Sequence, residues 1–200
     1  AGATYEQSMS AAQAAAETNG WILLSDSSWP GYSDLSHRLM EGYTVFMAEA
    51  ERQISAPSHI FLQAGVGGLA GAAAAMARKI WGDTPQIVVV EPLHAPALHS
   101  CIQAGDFVAA QGPGSAMGRL DCLEASLIAL KGLAKDADVF ALVSEEEGKA
   151  GADFAAAHQM ESTPSGAAGL AGLLASSAHR AALKLDAHSH VLVILSEGPE

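Results

Sequence analysis

The sequence predicts an α/β fold in which a parallel sheet is covered by helices on both faces. Three short runs, at residues 60–62, 86–91 and 139–143, predict strands, and the continuous β-branched run at 86–91 is typical of a strand that is buried on both faces. The stretches between them place apolar residues at helical spacing, and strands that alternate with helices favour a parallel sheet. The 200 residues are enough for one ordinary domain, and half of them are hydrophobic, which allows a sizeable core.

The first part of the chain is predicted to alternate in this way. Thr4 can cap a first helix that runs to about Thr18, and the Asn-Gly pair that follows is a stop signal. The apolar run WILL then predicts a short buried strand. The elements predicted up to residue 81 are a helix at 4–18, a strand at 21–24, a helix at 36–55, a strand at 60–62 and a helix at 69–81.

The second part continues the alternation after an irregular stretch at residues 105–121, which holds four glycines and a proline. Three glutamates at residues 145–147 suit the first turn of a helix, because the helix dipole favours acidic groups there. The elements predicted are strands at 86–91, 139–143 and 190–195, and helices at 97–104, 123–134, 145–159 and 167–185.

A glycine cluster separates the strand at 60–62 from the helix that follows it. Glycines let the backbone approach a ligand closely, and the start of a helix offers N–H groups and partial positive charge. The arrangement predicts a phosphate site, although a tight turn whose glycines serve only packing is the alternative. The cluster consists of Gly65, Gly67, Gly68 and Gly71.

Polar residues follow several of the predicted strands. Ligands of parallel α/β sheets bind beyond the carboxyl ends of the strands, so Asp26, the glycine cluster, Glu91 and Ser196 are expected at one shared edge. Each also has a plainer interpretation. Asp26 can cap the next turn, Ser196 can be an ordinary hydroxyl, and Glu91 can be a helix cap or a surface charge.

Composition excludes several classes of function. The net charge is −12 and no basic stripe is visible, which argues against nucleic acid and against an anionic membrane surface as partners. No apolar run is long enough to span a bilayer and no signal-peptide pattern is present, so we expect a cytoplasmic protein. The histidines lack metal-ligand spacing with acidic or cysteine partners, so no metal site is expected.

Seven short stretches together resemble one known family. In chain order they are 26–32 (DSSWPGY), 42–45 (GYTV), 59–71 (HIFLQAGVGGLAG), 89–92 (VVEP), 117–122 (MGRLDC), 161–169 (ESTPSGAAG) and 195–198 (LSEG). This series resembles the later part of a fold-type-II pyridoxal-phosphate enzyme, most closely a diaminopropionate ammonia-lyase and more distantly the threonine and serine dehydratases. The resemblance implies the large domain of the tryptophan synthase β-like fold.

The resemblance assigns roles to residues that stand at the family's motif positions. It implies that Ser196 faces the pyridine nitrogen of the cofactor and that Asp26 takes the α-proton of the substrate. A carboxylate can do this if burial raises its pKa towards neutrality. The backbone of the glycine loop is implied to bind the cofactor phosphate, through Gly65, Val66, Gly67, Gly68 and Leu69.

The implied reaction is an α,β-elimination. A small diamino acid such as 2,3-diaminopropionate would yield a keto acid and ammonia, in a protein that the resemblance suggests is a homodimer. Two other functions stay open at this point. One is a non-catalytic module that binds a phosphate or a nucleotide, and the other is a dehydratase acting on serine or threonine.

The sequence departs from the family in one important respect. Fold-type-II enzymes bind the cofactor through a lysine on an early segment, and none of the chain's five lysines lies in such a motif. We therefore expect residues 1–20 to be the tail of a smaller domain and 21–200 to be the cofactor domain, without turnover when alone. Cys101 and Cys122 can be buried thiols, and the resemblance also allows a disulfide between them.

Overall fold

The computed structural model describes residues 5–199 of the chain. Within that range one sheet contains four strands, β1 (His59–Gln63), β2 (Gln86–Pro92), β3 (Val139–Val143) and β4 (Val191–Val193). The strands lie in the order β3-β2-β1-β4, and all neighbouring pairs are parallel. The predicted parallel α/β fold is confirmed.

Helices cover both faces of the sheet and occupy most of the rest of the chain. No described helix is long and apolar enough to cross a membrane. The helices are α1 (Tyr5–Asn19), α2 (Asp34–Glu51), α3 (Gly68–Trp81), α4 (Ala97–Ala104), α5 (Leu127–Asp136), α6 (Glu145–Ala157), α7 (Ala168–Ala175) and α8 (Arg180–Leu183), with a 3₁₀ turn at Ser176–His179.

Alternation along the two central strands builds two cores. In β1, Ile60 and Leu62 face one side, where they pack with Met47 of α2 and the alanines of α3. Phe61 faces the other side, where it packs with Val88 of β2 and with small residues of α7. Side chains of adjacent strand residues point to opposite faces, so continuous apolar strands supply both cores.

Glycines bring α7 directly onto the sheet. A methyl group on Gly169 would lie 2.8 Å from the backbone oxygen of Phe61, and one on Gly172 would lie 2.6 Å from Cγ2 of Val90. Both distances are shorter than van der Waals contact, so this helix can approach the sheet only with glycine at these positions. The close approach also holds residues 161–167, which precede α7, at the carboxyl end of the sheet.

The predicted strand at residues 21–24 is wrong. None of these residues is in a strand, and Trp21, Ile22 and Leu24 are 66, 81 and 62% exposed. The N–H of Trp21 donates to Ala16 at the end of α1, and the carbonyl of Leu23 accepts from the Tyr32 hydroxyl. An apolar run becomes a strand only where a neighbouring strand completes its ladder, and no described residue offers one here.

The predicted helices differ from the described ones mainly at two places. The helix predicted at 167–185 breaks into α7, the 3₁₀ turn and α8, and the Ser176 hydroxyl at the break bonds to Leu173 O at 2.6 Å. The helix predicted from 123 begins only at Leu127. The acidic helix is confirmed at α6, where Ser144 and Glu147 form a capping box.

The predicted Thr4 cap lies outside the described residues, and the predicted division at residue 20 stays a prediction.

Candidate active site

The glycine loop connects the end of β1 to the start of α3. Gly67 has φ +100°, a left-handed value that disfavours side chains, and a methyl group on it would lie 2.9 Å from Cδ1 of Leu98. A methyl on Gly65 would lie 3.1 Å from the carbonyl oxygen of Arg119. The loop is therefore packed tightly enough on its inner side that its path depends on glycine.

The start of α3 presents unused hydrogen-bond donors. No side chain caps this helix, and the N–H groups of Gly67, Gly68 and Leu69 find no acceptor among the described residues. Donors of this kind, together with the positive end of the helix dipole, form an anion site. This geometry favours the predicted phosphate site over a turn whose glycines serve only packing.

Ser196 lies at the same end of the sheet and is fixed by Gln63, the last residue of β1. The Gln63 amide nitrogen lies 2.9 Å from three acceptors: the carbonyls of Gly166 and Ile194 and the Ser196 hydroxyl. The two carbonyls set the orientation of this amide. Because the Ser196 oxygen accepts from Gln63, its own proton stays available for an acceptor such as a ring nitrogen.

Asp26 lies on the loop before α2 and turns its carboxylate towards α3. Its carbonyl accepts from the Ser126 hydroxyl at 3.2 Å, and Ser28 N–H donates to the same hydroxyl at 3.1 Å, which ties this loop to the start of α5. Burial raises the pKa of Asp26, while hydrogen bonds from the backbone at Asp26 and Ser27 and from the Tyr43 hydroxyl lower it. Desolvation is the largest of these effects, so the carboxyl is shifted in the direction that a general base needs.

These groups line one cleft of about 260 Å³. Its lining contains every residue predicted for the site, although their roles stay predictions: Asp26, Gly65, Val66, Gly67, Gly68, Leu69 and Ser196. The lining also contains polar or ionisable side chains for which the sequence predicted no role in the site, among them Tyr5, Tyr43, Gln63, Arg119, Cys122 and Glu197. All of these except Tyr5 lie inside the stretches that resemble the family, and no motif marks Tyr5.

An acidic group and a cation lie at one side of the cleft. Arg119 Nε is 3.5 Å from one oxygen of Glu197, whose other oxygen accepts a hydrogen bond from the Thr163 hydroxyl. Thr163 also accepts from the Gly166 N–H at 3.0 Å. Thr163 therefore links Glu197 to the segment that precedes α7. Among the described residues that line the cleft, Arg119 is the only lysine or arginine.

Other residues singled out in the sequence lie elsewhere or serve structure. Cys101 and Cys122 are not joined by a disulfide, and both side chains are buried. Glu91 is fully buried, and its two oxygens accept from the N–H groups of Leu98 and His99, each at 2.7 Å. It is therefore the cap of α4 and does not line the cleft. No group of three or more His, Cys, Asp or Glu side chains in the described part of the chain could hold a metal ion.

Replacing Glu91 with glutamine should remove a pH dependence of stability. Burial raises the pKa of Glu91 from 4.5 to about 7 in the folded chain. The unfolded chain keeps the ordinary value and loses its proton first, so this carboxyl lowers the free energy of unfolding as the pH rises from 4.5 to about 7. The variant should lack that slope and, at neutral pH, lose about 1–3 kcal/mol because one N–H of α4 has no acceptor. Urea unfolding at both ends of the window measures this, and equal slopes in the two proteins would contradict it.

Comparisons with known proteins agree with this arrangement. Residues 1–197 match the family model described as pyridoxal-phosphate dependent enzyme. The diaminopropionate ammonia-lyase of Salmonella typhimurium is 30% identical over 215 residues, which cover 97% of this chain and 53% of that relative. The chain thus spans about half the length of the curated relative.

Solved structures give the same result. The crystal structure of the Escherichia coli diaminopropionate ammonia-lyase in complex with D-serine superimposes with a TM-score of 0.87 at 26% identity, covering 97% of this chain and 53% of that one. The structure of the same enzyme with an aminoacrylate-PLP azomethine reaction intermediate also gives a TM-score of 0.87 at 26% identity, with 97 and 54% covered.

Proposed function

Because the chain belongs to the family of pyridoxal-phosphate dependent enzymes, we propose that it forms the cofactor-binding part of an ammonia-lyase that acts on a small diamino acid. The observation that carries the proposal is the cleft, which combines an anion site, a hydroxyl donor and a half-buried carboxylate. The names of the relatives point to 2,3-diaminopropionate as the substrate. The products would be a keto acid and ammonia.

The residues of the cleft fit the cofactor at both of its ends. The phosphate would be bound by the backbone N–H groups of the loop from Gly65 to Leu69, at the start of α3. The Ser196 hydroxyl, which accepts from Gln63, would donate to the ring nitrogen. A neutral donor at that position leaves the ring less electron-withdrawing than a carboxylate partner would, which suits an elimination.

Asp26 would act on the substrate. When bound, the cofactor makes the α-proton of an amino acid acidic enough to be removed. Oδ2 of Asp26 would accept this proton, because burial raises the pKa of the carboxyl and Tyr43 holds it by a hydrogen bond. No lysine lines the cleft among the described residues. The lysine that binds the cofactor would therefore come from the half of the relatives' length that this chain does not span.

The experiment is an assay of the protein that carries this chain, supplied with pyridoxal phosphate. Release of ammonia and keto acid from both enantiomers of 2,3-diaminopropionate is compared with release from serine and threonine. We expect kcat/KM to be highest for 2,3-diaminopropionate. Higher values for serine or threonine would point to a dehydratase. Bound cofactor without release of ammonia from any of them would overturn the catalytic role, and failure to bind the cofactor would overturn the proposal as a whole.

A further inference from the structure

The Asp26 carboxylate lies against the first residue of α3. A methyl group on Gly68 would lie 2.7 Å from Oδ2 of Asp26 and 3.1 Å from its Cγ. The same turn of α3 carries the N–H groups proposed to bind a phosphate. The carboxylate and a bound phosphate would therefore be neighbours at one helix N-terminus, and both line the same cleft.

We propose that Asp26 is linked by charge to the anion site of α3, so that binding of a phosphate group there raises the affinity of Asp26 for a proton. The inference rests on the proposed function for the phosphate site and adds a second role for Asp26. Asp26 then responds to the state of the anion site as well as to the substrate. By linkage, an anion that raises the proton affinity of Asp26 must itself bind more tightly when Asp26 is protonated.

The groups that face Asp26 would not cancel the negative charge that a bound phosphate adds beside it. Tyr43 of α2 is hydrogen-bonded to it and Tyr5 of α1 lies close enough to interact with its charge, and both phenols stay neutral because burial raises their pKa values, that of Tyr5 to about 12. Cys122 also lies near Tyr5. The charged pair of Arg119 and Glu197 lines the same cleft and contributes both signs.

The electrostatics favour proton uptake. Burial already raises the pKa of Asp26, because the charged form loses solvation in the cleft. A phosphate dianion a few ångströms away repels the carboxylate further, and in a partly buried site such repulsion is weakly screened. With the anion bound, the pKa of Asp26 moves closer to neutrality, which is the range where a general base works best.

Sulfate is a suitable probe because it stays a dianion over the whole pH range in which Asp26 titrates. Its affinity for the cofactor-free protein is measured by calorimetry at a series of pH values, in buffers of different ionisation enthalpy that report proton uptake. We expect the affinity to fall on the order of tenfold as the pH rises through the titration of Asp26. We also expect protons to be taken up on binding within that range.

Two variants test whether Asp26 is responsible. Asp26→Asn should bind sulfate with an affinity that changes little with pH and that matches the wild type at low pH. Asp83→Asn is the matched control, because it removes the same charge from an exposed residue just beyond the other end of α3. This control should keep the pH dependence of the wild type.

The outcomes separate the two proposals. Equal pH dependence in the wild type and Asp26→Asn would overturn the linkage and leave the phosphate site standing. Absence of sulfate binding in every protein at every pH would overturn the phosphate site of the proposed function, and the linkage with it. If Asp26→Asn does not fold, carbon-13 NMR of the Asp26 carboxyl in the wild type decides, because sulfate should raise its pKa and an unchanged pKa would overturn the inference.

Discussion

Replacing Gly67 with alanine should reduce pyridoxal-phosphate binding to the point where a titration no longer saturates. The left-handed backbone of Gly67 and the 2.9 Å approach to Leu98 both oppose a side chain. Alanine at this position would therefore either displace the loop or leave its backbone strained. We expect a loss of about 2–4 kcal/mol of folding stability from strain and overpacking together. A displaced loop would also turn its N–H groups away from the phosphate. Cofactor titration by absorbance and thermal unfolding measure the two effects.

Gly132→Ala is the matched control for this prediction. Gly132 lies within α5, and a methyl group there meets no atom within 4 Å. The control should bind the cofactor normally and gain up to about 1 kcal/mol, because alanine is a better helix former than glycine. Normal cofactor affinity in Gly67→Ala would show that the loop does not hold the phosphate.

Replacing Asp26 with asparagine should lower kcat of the protein that carries this chain by about 10²–10⁴-fold, because an amide cannot accept the α-proton. Cofactor binding should be retained, since the amide keeps the shape of the side chain and removes a negative charge beside the anion site. The measurement is the rate of ammonia release from 2,3-diaminopropionate at saturating substrate, together with the absorbance of bound cofactor.

A structural role for Asp26 would give a different pattern. In that case Asp26→Asn would lower stability or cofactor affinity and leave kcat of the remaining folded enzyme near the wild-type value. Asp83→Asn again serves as the control for the change in net charge and should keep full activity. A kcat unchanged by Asp26→Asn would place the base on another residue.

Sequence patterns were sufficient for the sheet and for the glycine loop. Apolar runs predict β1, β2 and β3. β1 and β2 lie in the middle of the sheet and are almost fully buried, whereas β3 lies at the edge of the described sheet and is mostly half-buried. The glycine cluster at residues 65–71 lies between a predicted strand and a predicted helix, and in the structure it forms the connection between β1 and α3 and the start of α3. The placement of Ser196 followed from the rule that ligands bind beyond the carboxyl ends of strands, and Ser196 does line the cleft.

Contacts between distant segments could not be predicted in the same way. Tyr43 lies within one of the stretches that resemble the family, yet nothing in the sequence predicts that its hydroxyl bonds to Asp26. Glu91 follows the same pattern as a site residue, but the nearby start of α4 captures both of its oxygens. Residues 21–24 have the composition of a strand and no ladder partner among the described residues. In each case the outcome depends on which groups the fold places beside the residue.

The strand order β3-β2-β1-β4 has a consequence for how the site is assembled. The chain adds strands outward from β1 to β3 and then reverses direction to place its last strand on the other side of β1. The cleft opens at this reversal, between Gln63 of β1 and Ser196, three residues beyond β4. β4 pairs with β1 over three residues only and is the shortest of the four described strands. A cofactor that bridges the glycine loop and Ser196 would therefore stabilise the pairing of β4 with β1 and slow hydrogen exchange along β4.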